Sequence, residues 1–216
     1  MHIQRRRALL ALAAAIGMPG ALRLALAQTS SQQGVRAARG NISVNGKPTG
    51  PGALIRPGDT IEVGKDAVAS FVVGQDAFLM RSSSRAELAG SGALVAAVQL
   101  VTGGLLAVFG GGEHRLATAT ATIGIRGTGA YMEAEPWRTY FCLCYGTAEV
   151  TDTRGVARES YSTQHHDAPR YIYGDGRKRA IVPASVSNHT DAELILLESL
   201  VGRTPPRTFM ESPVRY

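Results

Sequence analysis

What most constrains this chain is its punctuation. From Asn41 to Thr151, short apolar runs alternate with turns built on glycine, asparagine, aspartate or serine. Asn45-Gly46 is the sharpest of these, because a two-residue hairpin needs positive φ at both central residues. Gly58-Asp59, Gly64-Lys65-Asp66, Gly74-Gln75-Asp76 and Ser82-Ser83-Ser84 follow at short intervals, then Gly103-Gly104 and Gly110-Gly111-Gly112. Runs this close leave no room for crossover helices, which excludes βαβ units. Strands are expected at Asn41 to Val44, Thr60 to Val63, Ala67 to Val73, Phe78 to Arg81, Leu105 to Phe109 and Thr120 to Ile125. Leu94 to Thr102 fits a strand or a short helix equally, since periodicity does not separate them over so few residues. The expected fold is all-β: a twisted β-sandwich or a β-solenoid-like roll. No strict repeat demands a true solenoid.

The stretch from Ala121 to Thr151 is the centre of the pattern. It carries an Arg126-Gly127-Thr128 turn, a strand with Cys142 and Cys144, and a Tyr145-Gly146 break. In the turn, Gly127 is expected to permit an unusual φ and Thr128 to bond the local backbone. Thr147 to Thr151 and Val156 to Ser162 read as a hairpin around Asp152 to Gly155. An irregular loop, Gln164 to Pro169, carries His165-His166. Arg170 to Tyr173 and Arg177 to Val182 read as a second hairpin around Gly174-Asp175-Gly176. One helix is expected, from Asp191 to Val201. Thr190 and Glu193 form a capping box. Leu194, Leu197, Leu200 and Val201 make one apolar face. Gly202 ends the helix and Pro205-Pro206 forbids its continuation.

Domain organisation follows: a signal at 1–27, a flexible leader at 28–40, a β domain at 41–162, and an extension at 163–216 holding the histidine loop, a hairpin and the helix. The signal rests on Arg5-Arg6-Arg7, an apolar run from Ala8 to Met18, and Ala25-Leu26-Ala27 as a cleavage site. Arg6-Arg7-Ala8-Leu9-Leu10 resembles a twin-arginine motif, although Arg5 stands where Ser or Thr is usual. The apolar run is shorter than the ~20 residues that cross a bilayer. No later segment qualifies either, so the mature chain is expected to be periplasmic or secreted after cleavage near Ala27. The signal also explains the charge. The chain's 23 basic and 17 acidic residues give +6, but four of the arginines and no acid lie in 1–27, so 19 basic residues then face 17 acidic ones, or +2. That near-neutral balance gives no ground for nucleic-acid binding, and no basic stripe with interleaved aromatics is present.

The ordered set of Gly58-Asp59, Gly64, the strand pair Ala67 to Arg81, Leu105 to Phe109, Ile123-Gly124-Ile125-Arg126-Gly127-Thr128 and Gly146-Thr147-Ala148-Glu149-Val150 resembles the FecR domain family. That family is typed by the periplasmic part of iron-dicitrate regulators, and the match runs from about Asn41 to Thr151. The resemblance implies an all-β domain outside the cytoplasmic membrane that binds a ligand or serves envelope signalling or assembly. Its partner would be an envelope protein or a small ligand. Such regulators hold a sigma factor with a cytoplasmic helical domain. Only Met1 to Arg7 precede the apolar run here, so direct anti-sigma action is not expected.

Two features lie outside that resemblance. Cys142 and Cys144 sit two apart on a strand, so with Tyr140 they share one face, while Phe141, Leu143 and Tyr145 share the other. Their Cβ atoms would be ~6–7 Å apart in a regular strand, and a disulfide needs ~3.5–4.5 Å. A bridge would therefore require a bulge. Chelation would not. His165 and His166 follow one hairpin later, with His189 just ahead of the helix. Two thiolates and two imidazoles suit zinc, copper or iron. The expected site is Cys142, Cys144, His165 and His166, with His189 in reserve. A reactive thiol is the other possibility, with His166 acidifying Cys144. The alternative is two small buried cysteines and turn-bound histidines. No Ser/His/Asp order, phosphate loop or carboxylate pair stands out, so the main reading is a non-enzymatic exported module. The second reading is a metal or thiol-redox protein.

Overall fold

The computed structural model describes residues 33–211, so the expected signal lies outside the described residues. The described chain is all-β with a C-terminal helix, as expected. Its strands are β1 (Gly34–Arg39), β2 (Ile42–Val44), β3 (Lys47–Thr49), β4 (Thr60–Val63), β5 (Val68–Val73), β6 (Asp76–Met80) and β7 (Ser84–Ser91). They continue with β8 (Leu94–Val108), β9 (Glu113–Ala117), β10 (Ala121–Ala134), β11 (Arg138–Asp152), β12 (Arg158–Thr163), β13 (Arg170–Tyr173) and β14 (Ile181–Pro183). Helix α1 spans Asp191–Leu200 and a short helix α2 spans Arg207–Glu211.

All the strands belong to one sheet, organised by three long members: β8, β10 and β11. Each serves two neighbourhoods. The first part of β8 pairs with β7 and β9, and its last part with β6 and β10. β11 pairs with β13 near its start and with β12 near its end. One core collects side chains from both neighbourhoods, including Phe71, Phe78, Ile61, Leu100, Leu116, Ile123 and Val150, so the sheet rolls around it. A second core lies on the other face of β6, β8, β10 and β11, under α1. It holds Leu79, Leu106, Tyr131, Tyr140, Cys142, Cys144, Tyr145, Leu194 and Leu197. Burying Leu194 and Leu197 completely contributes ~1.5–3 kcal/mol each, which is what docks the helix.

Several expectations need correction. Residues 34–39, read as flexible leader, form β1 and pair antiparallel with β5. Leu94 to Thr102 is strand, and it runs on through Gly103-Gly104 rather than breaking there. A Cβ at Gly103 would fall 2.2 Å from Ser84 Oγ, so glycine is what lets β8 pass β7 this closely. Residues 170–183, placed in the extension beyond the β domain, add β13 and β14 to the main sheet, and β14 starts at Ile181, not Arg177.

The Arg126-Gly127-Thr128 turn is a bulge inside β10. Register jumps from Arg126↔Thr147 to Gly129↔Tyr145, so Gly127 and Thr128 oppose Gly146 alone. Gly127 has φ +54° and Gly146 has φ +102°, as the irregularity requires. The hydroxyl of Thr128 is buried and bonds nothing, contrary to the expected turn contact. A second jump follows at once: Tyr145 opposes Gly129 while Leu143 opposes Ala130. Cys144 is therefore the extra residue of a bulge in β11. This puts Tyr145 on the helix-facing side with Tyr140 and Cys142, not with Phe141 and Leu143 as strict alternation predicts.

Candidate metal centre

The cluster is built where β11, the histidine loop and the start of α1 meet. Cys142 and Cys144 are completely buried on the face of β11 that α1 covers. The loop after β12 turns sharply at His166, whose φ is +51°. Its N–H donates to the Cys144 carbonyl over 3.0 Å, which ties the loop to the strand. His166 Nδ1 then lies 3.4 Å from Cys142 Sγ. His189 arrives from the other side, one residue ahead of the N-cap Thr190. Its Nε2 lies 3.0 Å from the same Nδ1 of His166, and its ring stacks on Tyr131 at 4.6 Å.

Cys142, Cys144, His166 and His189 each offer one ligand atom, and these atoms all lie within 4.8 Å of one another. All four residues are buried. The expected set is thus brought together with one exchange: His189 joins, and His165 does not. Both rings point an Nε2 at Asp191, with which they form a second group of ligand atoms within 4.8 Å, but only His166 also reaches the sulfurs; His165 stays buried beside it, 4.8 Å ring to ring. His165 Nε2 donates to Asp191 Oδ2 over 2.9 Å, and its ring packs 4.6 Å from Phe209 on α2.

The outer bonds fix the tautomers. His166 donates from Nε2 to Asp191 Oδ1 over 3.0 Å. His189 donates from Nδ1 to the Ser187 carbonyl over 2.7 Å. In their neutral forms, His166 Nδ1 and His189 Nε2 therefore both present bare lone pairs, 3.0 Å apart. A carboxylate or carbonyl behind each imidazole is the usual support of a metal-bound histidine. Asp191, at the first position of α1, supports two. Burial works against its charge, but the bonds from His165 and His166 outweigh that and hold it below the ordinary carboxylate range.

Electrostatics separate the two thiols. The hydrogen bond from Cys144 lowers Cys142 well below the usual thiol value; burial opposes this, and His166 and His189 add to it. Burial, reinforced by Cys142, holds Cys144 well above that value. The acidified thiol is Cys142, not Cys144 as the sequence suggested. Burial alone would suppress the His166 imidazolium, yet Cys142 and Asp191 carry its pKa above the ordinary value. Cys142, His166 and Asp191 thus stand in the order of nucleophile, base and orienter. The sulfur, however, is completely enclosed, and a substrate carbonyl has no approach to it.

A wide groove elsewhere, walled by Glu113, Arg115, Arg126, Glu149 and Ser160 among others, does not reach the cluster. Among the described residues no helix is long and apolar enough to cross a membrane.

The fold has counterparts among solved structures. A crystal structure of a "putative anti-sigma factor" from Parabacteroides distasonis ATCC 8503 aligns with TM-score 0.50 at 9% identity, covering 64% of this chain and 64% of that one. A second structure so described from the same organism gives TM-score 0.48 at 9% identity, over 58% and 59%, and adds no argument. The chain spans less than two thirds of the length of either. At this identity the likeness is one of fold alone. No protein-family model and no curated relative matches the chain.

Proposed function

We propose that this chain is a metal-binding signalling module: a FecR-like β fold that holds one transition-metal ion of the zinc class between Cys142, Cys144, His166 and His189. The observation that carries the reading is the pair of bare imidazole nitrogens, 3.0 Å apart and 3.4 Å from a thiol. A tetrahedral ion with bonds of ~2.0–2.3 Å spaces its ligand atoms by ~3.3–3.8 Å. The two nearest pairs, at 3.0 and 3.4 Å, are close to that spacing, and the widest separation, within 4.8 Å, would close by about 1 Å around an ion. One proton on His166 Nδ1 would bridge the two nitrogens as an N–H···N bond but would not bring in both sulfurs. A divalent ion satisfies both nitrogens, draws the protons off two thiols and leaves the buried centre neutral. Four protein ligands and full burial match a closed, non-catalytic site, consistent with a non-enzymatic role. The signalling part of the reading leans on the fold shared with the anti-sigma-like structure.

Metal analysis of the purified chain tests the reading. Close to one ion per chain is expected, with both thiols protected from alkylation until a chelator is added. Cys142→Ala or His189→Ala should each remove most of the metal, and His165→Ala should not. A metal-free chain with freely alkylated thiols refutes it. Export is part of the same proposal: N-terminal sequencing of envelope-fraction protein should begin at Gln28.

A further inference from the structure

Resting on that metal reading, we propose that the ion enters and leaves through the cleft beside His189, and that Arg81 is the positioning residue that keeps this way closed. The cleft is lined by Arg81, Tyr131, Glu133, Asn188, His189 and Glu193. His189 alone belongs both to its wall and to the ligand cluster. The other sides of the cluster are packed. Leu194 and Leu197 of α1 lie in the same buried core as the sulfurs, and Phe209 covers His165 and His166.

His189 rides on the segment 184–190, which is neither strand nor helix. A few bonds pin it. The Tyr140 hydroxyl donates to Ser185 O and accepts from Ser187 N–H. Asn188 donates to Glu133 over 2.6 Å. Ala184 N–H donates to the Pro169 carbonyl over 3.0 Å. Arg81 adds a fork: one guanidinium nitrogen donates to Asn188 O over 2.7 Å, and two grip both oxygens of Glu193 at 2.7 and 2.8 Å. The same guanidinium lies over the Tyr131 ring at 5.9 Å, and that ring stacks on His189. One fork thus joins β6's end, the ligand-bearing segment and the first turn of α1. With it in place His189 is held against the sulfurs. Without it the segment can swing His189 into the cleft, where Glu133 and Glu193 offer carboxylates to a passing cation.

Arg81 touches no ligand atom, so its effect should appear in rate more than in affinity. The test loads the full chain with zinc and follows its loss to excess chelator. Arg81→Gln should release zinc about tenfold faster, the consequence of losing a charge-assisted bond that holds the closed form. The equilibrium constant should move much less, because uptake quickens as well. Arg81→Lys should restore only part of the rate, since an ammonium lacks the fork. Arg85→Gln, which breaks a surface pair with Glu62 and Glu87, should match the native rate. Asn188→Ala, which removes the bond to Glu133, provides an independent acceleration should Arg81→Gln fail to fold. Native release rates in both Arg81→Gln and Asn188→Ala, or faster release from Phe209→Ala alone, overturn the proposal and put the route under α2. A native chain that takes up no zinc fails differently, at the metal reading itself.

Discussion

Tyr145 offers the sharpest test of the packing argument, because only the bulge at Cys144 puts it on the helix side. Its hydroxyl donates to Glu198 of α1, a carboxylate that is 4% exposed. The second donor to Glu198 is Arg203 Nε, at 2.6 Å. Burial, with the charge of Glu198 beside it, raises the Tyr145 pKa far above the ordinary phenol value, so the hydroxyl remains a donor at any working pH. Tyr145→Phe keeps the ring and its edge contact with Phe209 at 5.4 Å. It removes one of the two donors and leaves that carboxylate oxygen buried without a partner. Such an acceptor costs ~1–3 kcal/mol, and the charge favours the upper half, so about 2 kcal/mol is expected. For a chain of this size that is a fall in Tm of about 4–8 °C. Urea or thermal denaturation reads it directly. A change under ~0.5 kcal/mol, ordinary for a surface site, would mean that Tyr145 faces the other core and that Cys144 is not a bulge.

Thr190→Ala should cost ~1 kcal/mol, because Thr190 Oγ1 accepts from Glu193 N–H while Glu193 accepts from Thr190 N–H; an unchanged unfolding midpoint refutes the cap. Asp152 predicts an acid-labile hairpin. Burial raises its pKa, but donors at Ala157 N, Val156 N and Arg154 outweigh it, so the folded value lies below the unperturbed 3.8. Stability from this group is therefore full above pH 3.8 and drains away as pH falls through the lower folded value. Asp152→Asn should flatten that part of the acid-unfolding curve, and an unaltered curve refutes the assignment.

Much of the fold was legible because turn chemistry is local. Asn45 and Gly46 do take φ +52° and +73° between β2 and β3, and Thr190 with Glu193 does close a capping box. What escaped were features set by distant partners. β1 reads as a polar leader because its residues gain strand character from β5, which lies some thirty positions on. Of the candidate ligands, Cys142, Cys144 and His166 were found from type and spacing. His189 was ranked too low, although its place had a meaning. It occupies the position just before an N-cap, where a side chain commonly folds back against the fourth residue of the helix. That residue is Leu194, which packs in the same core as the sulfurs. His165 misses the sulfurs because His166 adopts positive φ, which nothing in the sequence shows; that turn keeps the two rings edge to face at 4.8 Å but gives only His166 a nitrogen facing Cys142.

The parity of β11 carries the deepest consequence of the sequence. Phe141 and Leu143 point into the first core, and so do Ala148 and Val150. Odd positions face inward before Cys144 and even positions after it, which no regular strand allows. β10 switches at the same level: Ile123 and Ile125 share that core with Ala130 and Met132. The two strands therefore change parity together, each spending extra residues beside the other, with Gly127 and Gly146 supplying the backbone freedom. Cys144 is then both a metal-ligand candidate and a spacer, and deletion separates the two roles. Removing Cys144 leaves Leu143 opposite Ala130 and Tyr145 opposite Gly129 in ordinary pairing, so the strand keeps its faces and Tyr145 keeps Glu198. The chain should still fold, with one sulfur fewer and with most of its metal lost. Removing Thr147 instead slips the end of β11 by one residue and reverses its faces. Glu149 would turn inward and Val150 outward, at a cost of several kcal/mol for the unpaired carboxylate alone. Circular dichroism and thermal unfolding of the two deletions read the contrast. If the Thr147 deletion folds as well as the Cys144 deletion, the parity argument fails.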